Sequence, residues 1–206
     1  FNKEKDAVSY AVETMQFGLY DLAEKALEKC DDRAIKFYYL AYIAKKRGDD
    51  EESKKYIALA DGCSWKCEFP VRTETVPVLK AAGTPMAHYY LGCIYYAHER
   101  YAEAVAEWKS TVAEIEFAPA YRNMSLGLFD HLGKPEEALA ALEKAHELMP
   151  ESNRIFFELT QLYKGLNLSL EERLALYKNE EKTVFTRDDC TLQYSVLSTI
   201  AGDIDK

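Results

Sequence analysis

Cys63 and Cys67 stand four residues apart, a spacing at which two thiolates could share a tetrahedral zinc ion. A structural zinc site takes four ligands, and no second Cys or His pair lies near these two in the sequence. His88, the nearest candidate, falls on a stretch patterned as helix. The loop therefore reads as Cys63, Cys67, Trp65 and Phe69 packing onto helices, with no metal and no cofactor. His98, His131 and His146 also lack catalytic companions. No Gly-x-Ser-x-Gly, His-Glu-x-x-His or phosphate-cradling glycine loop occurs. Glu136-Glu137, Glu171-Glu172 and Asp188-Asp189 resemble the carboxylate pairs of glycosidases, but all three open helix-patterned stretches. The positive end of the helix dipole favours acids there without any catalytic role. Asn123-Met124-Ser125 and Asn167-Leu168-Ser169 match the glycosylation sequon by chance, the first inside a helix. The sequence describes a protein that is not an enzyme.

Its composition narrows the partners. The 206 residues carry a formal net charge of −9, against the basic surface that phosphate-backbone binding requires. The longest basic run, Ala44-Lys45-Lys46-Arg47, closes a helix, where cations complement the dipole. No apolar run approaches the ~20 residues that span a bilayer, so neither nucleic acid nor membrane insertion is expected. The five cysteines are odd in number and scattered, which fits reduced thiols or small buried hydrophobes. With no signal-peptide pattern visible, a cytoplasmic setting is favoured. The chain opens at Phe1 and closes at Gly202-Asp203-Ile204-Asp205-Lys206, in the turn after a first helix, so a fragment of a longer protein is expected.

The elements that would position any site follow one period. Tyr95, Phe129 and Tyr163 are 34 residues apart, as are Trp108, Leu142 and Leu176, Ala104 and Ala138, and Pro85 and Pro119. In the best unit, Pro119 to Pro150, residues 120–129 form a first helix ended near Gly133. Pro135, Glu136 and Glu137 then open a second helix carrying Ala138, Leu142 and Ala145. Phe129, Gly133, Ala138, Ala145 and Pro150 resemble the tetratricopeptide repeat, whose helix pairs stack into a solenoid. The resemblance implies an all-α, right-handed superhelical solenoid of antiparallel helix pairs, about a dozen helices in one domain over 1–206. The best repeats are 85–118, 119–152 and 153–187, followed by a truncated repeat at 188–206. Ser169-Leu170-Glu171-Glu172 reads as a capping box, and Asp188 or Asp189 as the cap of a last helix through Ile200.

Repeats over 1–61 are degenerate, with turns at Gly18 and Gly48. An irregular stretch, 62–84, breaks the period. Within it a short extra helix is expected from about Thr73 to Ala82, with Pro77 in its first turn and Gly83 as its stop. Residues 69–206 have a narrower resemblance, carried by Phe69 to Leu79, Tyr90-Leu91-Gly92, Trp108, Tyr121-Arg122-Asn123 and Arg187-Asp188-Asp189. They are similar to the helical-repeat part of large bacterial proteins that join an N-terminal β-rich domain of unknown function to repeats. Those proteins are often linked to carbohydrate metabolism, and the resemblance carries over no catalytic residue.

In tetratricopeptide folds the first helix of each pair lines the concave face. Counting from Ala34, Pro85, Pro119 and Asn153 assigns to that face Tyr38, Tyr42, Tyr89, Tyr96, Asn123, Asp130, Arg154, Phe157, Gln161 and Lys164, with Lys45, Cys93 and Gly127 beside them. The expected groove is aromatic toward the N-terminus and polar toward the C-terminus. The family's peptide clamp grips a C-terminal carboxylate with Lys and Asn; here the matching positions are Tyr89 and Cys93, which depart from it. The expected function is a non-catalytic interaction module holding a protein or peptide segment in an aromatic groove. The alternative is a docking arm of a larger carbohydrate-related bacterial protein, packed on another domain of the same chain.

Overall fold

A computed structural model describes residues 3–66 and 68–202. Cys67 and residues 203–206 lie outside the described residues, and with them half of the cysteine pair and the last turn read from the sequence. Thirteen α-helices and no strand occur among the described residues. They are α1 (Lys3–Gln16), α2 (Tyr20–Leu27), α3 (Ala34–Lys46), α4 (Asp50–Asp61), α5 (Val76–Ala82), α6 (Pro85–Ala97) and α7 (Tyr101–Glu114). Then come α8 (Ala118–Asp130), α9 (Pro135–Leu148), α10 (Asn153–Gly165), α11 (Leu170–Asn179), α12 (Glu181–Val184) and α13 (Asp188–Ile200). The chain divides into two compact units, Phe1–Thr111 and Val112–Lys206, and the boundary falls inside α7.

In unit 1, α1 pairs with α2 and α3 with α4. Glycines at 18 and 48 take positive φ (72° and 81°), which lets each turn close without Cβ strain. The irregular stretch then folds back. A 3-10 turn at Thr73–Thr75 leads into α5, with Pro77 in its first turn and Gly83 (φ 63°) as its left-handed stop. This short helix packs against both first helices, α3 and α6. Val78, Ala81 and Ala82 meet Tyr38, Ala41, Tyr42 and Lys45 of α3 in a closed seam. Lys45 Nζ also donates to the Ala81 carbonyl (3.0 Å), satisfying the end of α5.

Asp61, at the end of α4, ties these helices together. Tyr38 donates its hydroxyl to the Asp61 carboxylate, and Thr84 Oγ1 donates to the same oxygen at 2.8 Å. Thr84 also caps α6 through Ala87 N (3.3 Å). Further along α6, Gly92 makes room for the Trp108 indole. A Cβ at Gly92 would stand 2.3 Å from Trp108 Nε1, and that nitrogen donates to the Tyr89 carbonyl (3.2 Å).

In unit 2, α8 and α9 form a pair, α9 leans on α10, and α10 meets α11 and α12. Leu128, Ala138, Leu142 and Ala145 are buried in it, the small alanines letting the helices approach. A second cluster joins Phe156, Leu174, Tyr177, Val184, Cys190, Tyr194 and Leu197. The Ser169–Glu172 capping box forms in both directions, Glu172 N to Ser169 Oγ at 3.2 Å and Ser169 N to Glu172 Oε2 at 2.9 Å. The last helix corrects one expectation. Its N-cap is Arg187, with no side-chain cap bond, and Asp188 and Asp189 sit in the first turn. They act there on the dipole, not as caps. Leu192, Val196 and Ile200 stay exposed at helical spacing along α13. Among the described residues no helix is long and apolar enough to cross a membrane.

Candidate functional site

The face of unit 2 built by α8 and α10 holds an open cleft. Each helix starts where the sequence can start one. Pro119 occupies the first turn of α8, and Ser152 caps α10 by accepting from Ile155 N (3.4 Å). From α8 come Ser125, Leu126, Phe129 and Asp130; from α10, Glu158, Gln161 and Leu162; Leu142 of α9 forms the floor. The enclosed volume is about 170 Å³. Phe129 is 37% exposed, and its ring reaches toward the end of α10, where a Cβ at Gly165 would meet Phe129 Cζ at 3.3 Å.

One end of the cleft is fixed by charge. Arg122 of α8 grips the Glu158 carboxylate of α10 with both arms of its fork, Nε donating at 2.6 Å and Nη2 to the second oxygen. Arg154 Nε adds a donation to Glu158 at 3.2 Å, and Arg122 Nη1 donates to Asn123 Oδ1 (2.9 Å). Both side chains of the Arg122–Glu158 pair are largely buried, so water screens it weakly. The opposite rim is Asp130, exposed and with no ion pair among the described residues. Gln161, between them, makes a long 3.4 Å contact to Thr160 Oγ1, which leaves its amide available to a backbone group.

The sequence count placed ten residues on a groove, and the structure distributes them differently. Asp130 and Gln161 line the cleft. Asn123 and Arg154 join the charge network at its end, and Lys164 is exposed further along α10. Phe157 lies under the Arg187 guanidinium, 4.3 Å from its ring centre, and packs on the C-terminal core cluster. Tyr96 is half-buried against Tyr101 and Trp108. Tyr42 is half-buried in the seam with α5, and its ring sits 5.1 Å from Lys46 Nζ.

Two assignments are corrected. Tyr38 is 0% exposed and Tyr89 3%, so both are core residues and offer no surface to a partner. The extra helix α5 covers Tyr38, whose hydroxyl burial and the Asp61 carboxylate push toward the neutral form. Tyr89 is packed beside Tyr90, with ring centres 5.4 Å apart. Burial likewise pushes the neighbouring Cys93 thiol up to about 12.

The count missed Arg122, Glu158, Leu126 and Phe129. A signal for the first two was present: an arginine and a glutamate 36 residues apart, on consecutive first helices, differ from the repeat period by two. Elsewhere, His88 Nδ1 is engaged by Glu107 at 2.6 Å. No metal-ligand cluster of three or more occurs among the described residues.

No family model matches the chain. Among solved structures it is similar to PilF of Pseudomonas aeruginosa, with a TM-score of 0.53 at 15% identity over 98% of this chain and 86% of that one. It is also similar to MamA from residue 41 to the end, from Desulfovibrio magneticus RS-1, with a TM-score of 0.50 at 17% identity over 91% of this chain and 98% of that one. At such identities the likeness shows the fold alone: all-helical among the described residues, and resembling a tetratricopeptide-like solenoid.

Proposed function

We propose that this chain is a non-catalytic protein-binding module. Its site is the cleft between α8 and α10, which takes one apolar side chain of an extended peptide with a basic residue beside it. The observation that carries the reading is the pairing of an open apolar wall, Leu126 and Phe129, with a rim carboxylate, Asp130, that has no ion pair among the described residues. Gln161 would hold the peptide backbone, and the Arg122–Glu158 pair keeps the walls preformed, which lowers the ordering cost of binding. A protein of net charge −9 also draws basic partners in by its long-range field.

The test is fluorescence polarisation with a panel of labelled hexapeptides carrying a single Leu or Phe next to Lys or Asp. Lys-bearing peptides should bind, and Asp130→Lys should reverse the preference for the neighbouring residue. Phe129→Ala should weaken all binding. If the panel binds equally well regardless of charge, or Phe129→Ala changes nothing, the cleft is not the site. A second reading, the docking arm of a larger carbohydrate-related bacterial protein, is favoured by the exposed Leu192, Val196 and Ile200 stripe on α13. Leu192→Lys with Ile200→Lys separates the two readings, because it should leave peptide binding in the cleft intact.

A further inference from the structure

Unit 1 contains a pocket that the peptide-binding reading does not use. It encloses about 330 Å³, at the lower end of the range of ligand cavities, about 300–1,000 Å³. Its walls are mostly apolar: Val8 of α1, Ile35 and Tyr39 of α3, and Phe69, Pro70 and Val71 from the extended stretch before the 3-10 turn. Phe69 and Val71 are 72% and 56% exposed, so the apolar wall faces solvent where a ligand would cover it.

The charges at the pocket are unevenly matched. Lys36 is held by Asp32 at 2.8 Å and donates to the Cys30 carbonyl at 2.9 Å, while Arg33 lies 3.7 Å from Asp31. Arg72 differs. Its Nη2 donates to Ser9 Oγ at 2.6 Å, and no carboxylate pairs with it among the described residues. A half-buried guanidinium anchored at one nitrogen leaves the rest of its planar fork for an anion. Asp31 and Glu68 also border the pocket, so a multiply charged anion such as a phosphate ester would be repelled as well as attracted. A single carboxylate joined to an apolar chain satisfies both the wall and the fork.

We propose that this pocket binds a small aliphatic carboxylate, its chain between Val8, Ile35, Phe69 and Val71 and its head group on Arg72. Recognition combines burial of the chain with one charge-assisted pair, so neither half suffices alone. The experiment titrates decanoate, below its micelle concentration, into the full chain by isothermal calorimetry. Decanol and decyltrimethylammonium are titrated in parallel. Decanoate should bind saturably at one site, and the two chain-matched controls at least about tenfold more weakly, as loss of one charge-assisted bond implies. Arg72→Gln, which keeps an amide for Ser9, should weaken decanoate about tenfold and leave decanol unchanged; Arg33→Gln, whose charge is already matched, should do much less. Absence of saturable decanoate binding overturns the proposal, and so does equal affinity for decanoate and decanol. The ligand comparison uses the unaltered protein and decides the matter even if Arg72→Gln fails to fold.

Discussion

The two units treat their first helices in opposite ways. In unit 1 the first helices α3 and α6 are bridged by the inserted helix α5, which covers Tyr38 and leaves Tyr42 at a seam. In unit 2 the first helices α8 and α10 are bridged by a side-chain pair, Arg122 and Glu158, and beside it the cleft stays open. A helix as a bridge closes a face; an ion pair fixes the spacing of two helices and leaves the apolar surface next to it uncovered. In unit 1 an inserted helix thus closes a face of the kind that an ion pair leaves open in unit 2.

The sharpest way to break this contrast is to unseat the bridging helix. Leu79 on α5 is fully buried, and Leu79→Ala should cost about 3 kcal/mol in unit 1 by leaving a cavity. If α5 is the cover, Tyr38 and Tyr42 should then become accessible to nitration by tetranitromethane. Unchanged tyrosine reactivity in the variant would mean that α5 does not shield them. Gly92→Ala should cost about 2 kcal/mol, because its methyl would collide with an indole ring that is itself packed, and the gain in helix propensity cannot offset that. Urea unfolding should locate the loss in unit 1 alone.

The third substitution tests the open side. Arg122→Ala strips Glu158 of its fork in a poorly screened setting and should cost about 1–2 kcal/mol, seen as a lower urea midpoint for unit 2. It should also reduce affinity in the cleft, since the walls lose their spacer. Lys45→Ala in unit 1, by contrast, removes an exposed contact to a carbonyl and should be nearly silent. A smaller effect than that of Arg122→Ala belongs to the capping box. Its hydrogen bonds to the backbone and side chain of Ser169 hold the Glu172 carboxyl below its ordinary value of 4.5. A carboxylate whose folded pKa is depressed stabilises the fold above its unfolded value and loses that contribution as pH falls through the folded one. The gap between the native chain and Glu172→Ala should thus be full near neutrality and shrink below pH 4.5. A gap that widens on acidification would contradict the assignment.

These contrasts also explain what could be read from the residues and what could not. Helix starts were legible because the punctuation is local: α3 begins at Ala34, α6 at Pro85 and α10 at Asn153, the residues from which the groove was counted, and α8 begins at Ala118, one residue before Pro119. The extra helix was legible for the same reason, with Pro77 in its first turn and Gly83 as its stop. Its destination was not. Nothing in residues 62–84 says that α5 will lie on α3, since that contact joins residues some 36 positions apart, as in the Lys45–Ala81 bond. Tyr38 was misjudged for that reason, and Tyr89 because it packs beside Tyr90. Tyrosines suit either a groove or a core, and burial depends on neighbours that helical periodicity does not encode. Phe129 entered the reading only as a motif residue, whereas its ring lies partly toward Gly165 and partly in the cleft.

The indole seated on Gly92 has an optical consequence. The chain has two tryptophans, Trp65 and Trp108, and both precede Thr111. Unit 2 is thus dark to excitation at the red edge of tryptophan absorption. Emission from the intact chain tracks the state of unit 1, whereas circular dichroism at 222 nm sums the helices of both. Recording the two signals in one melt would separate the halves of the molecule without labels, and would reveal whether heat dismantles them together or in succession.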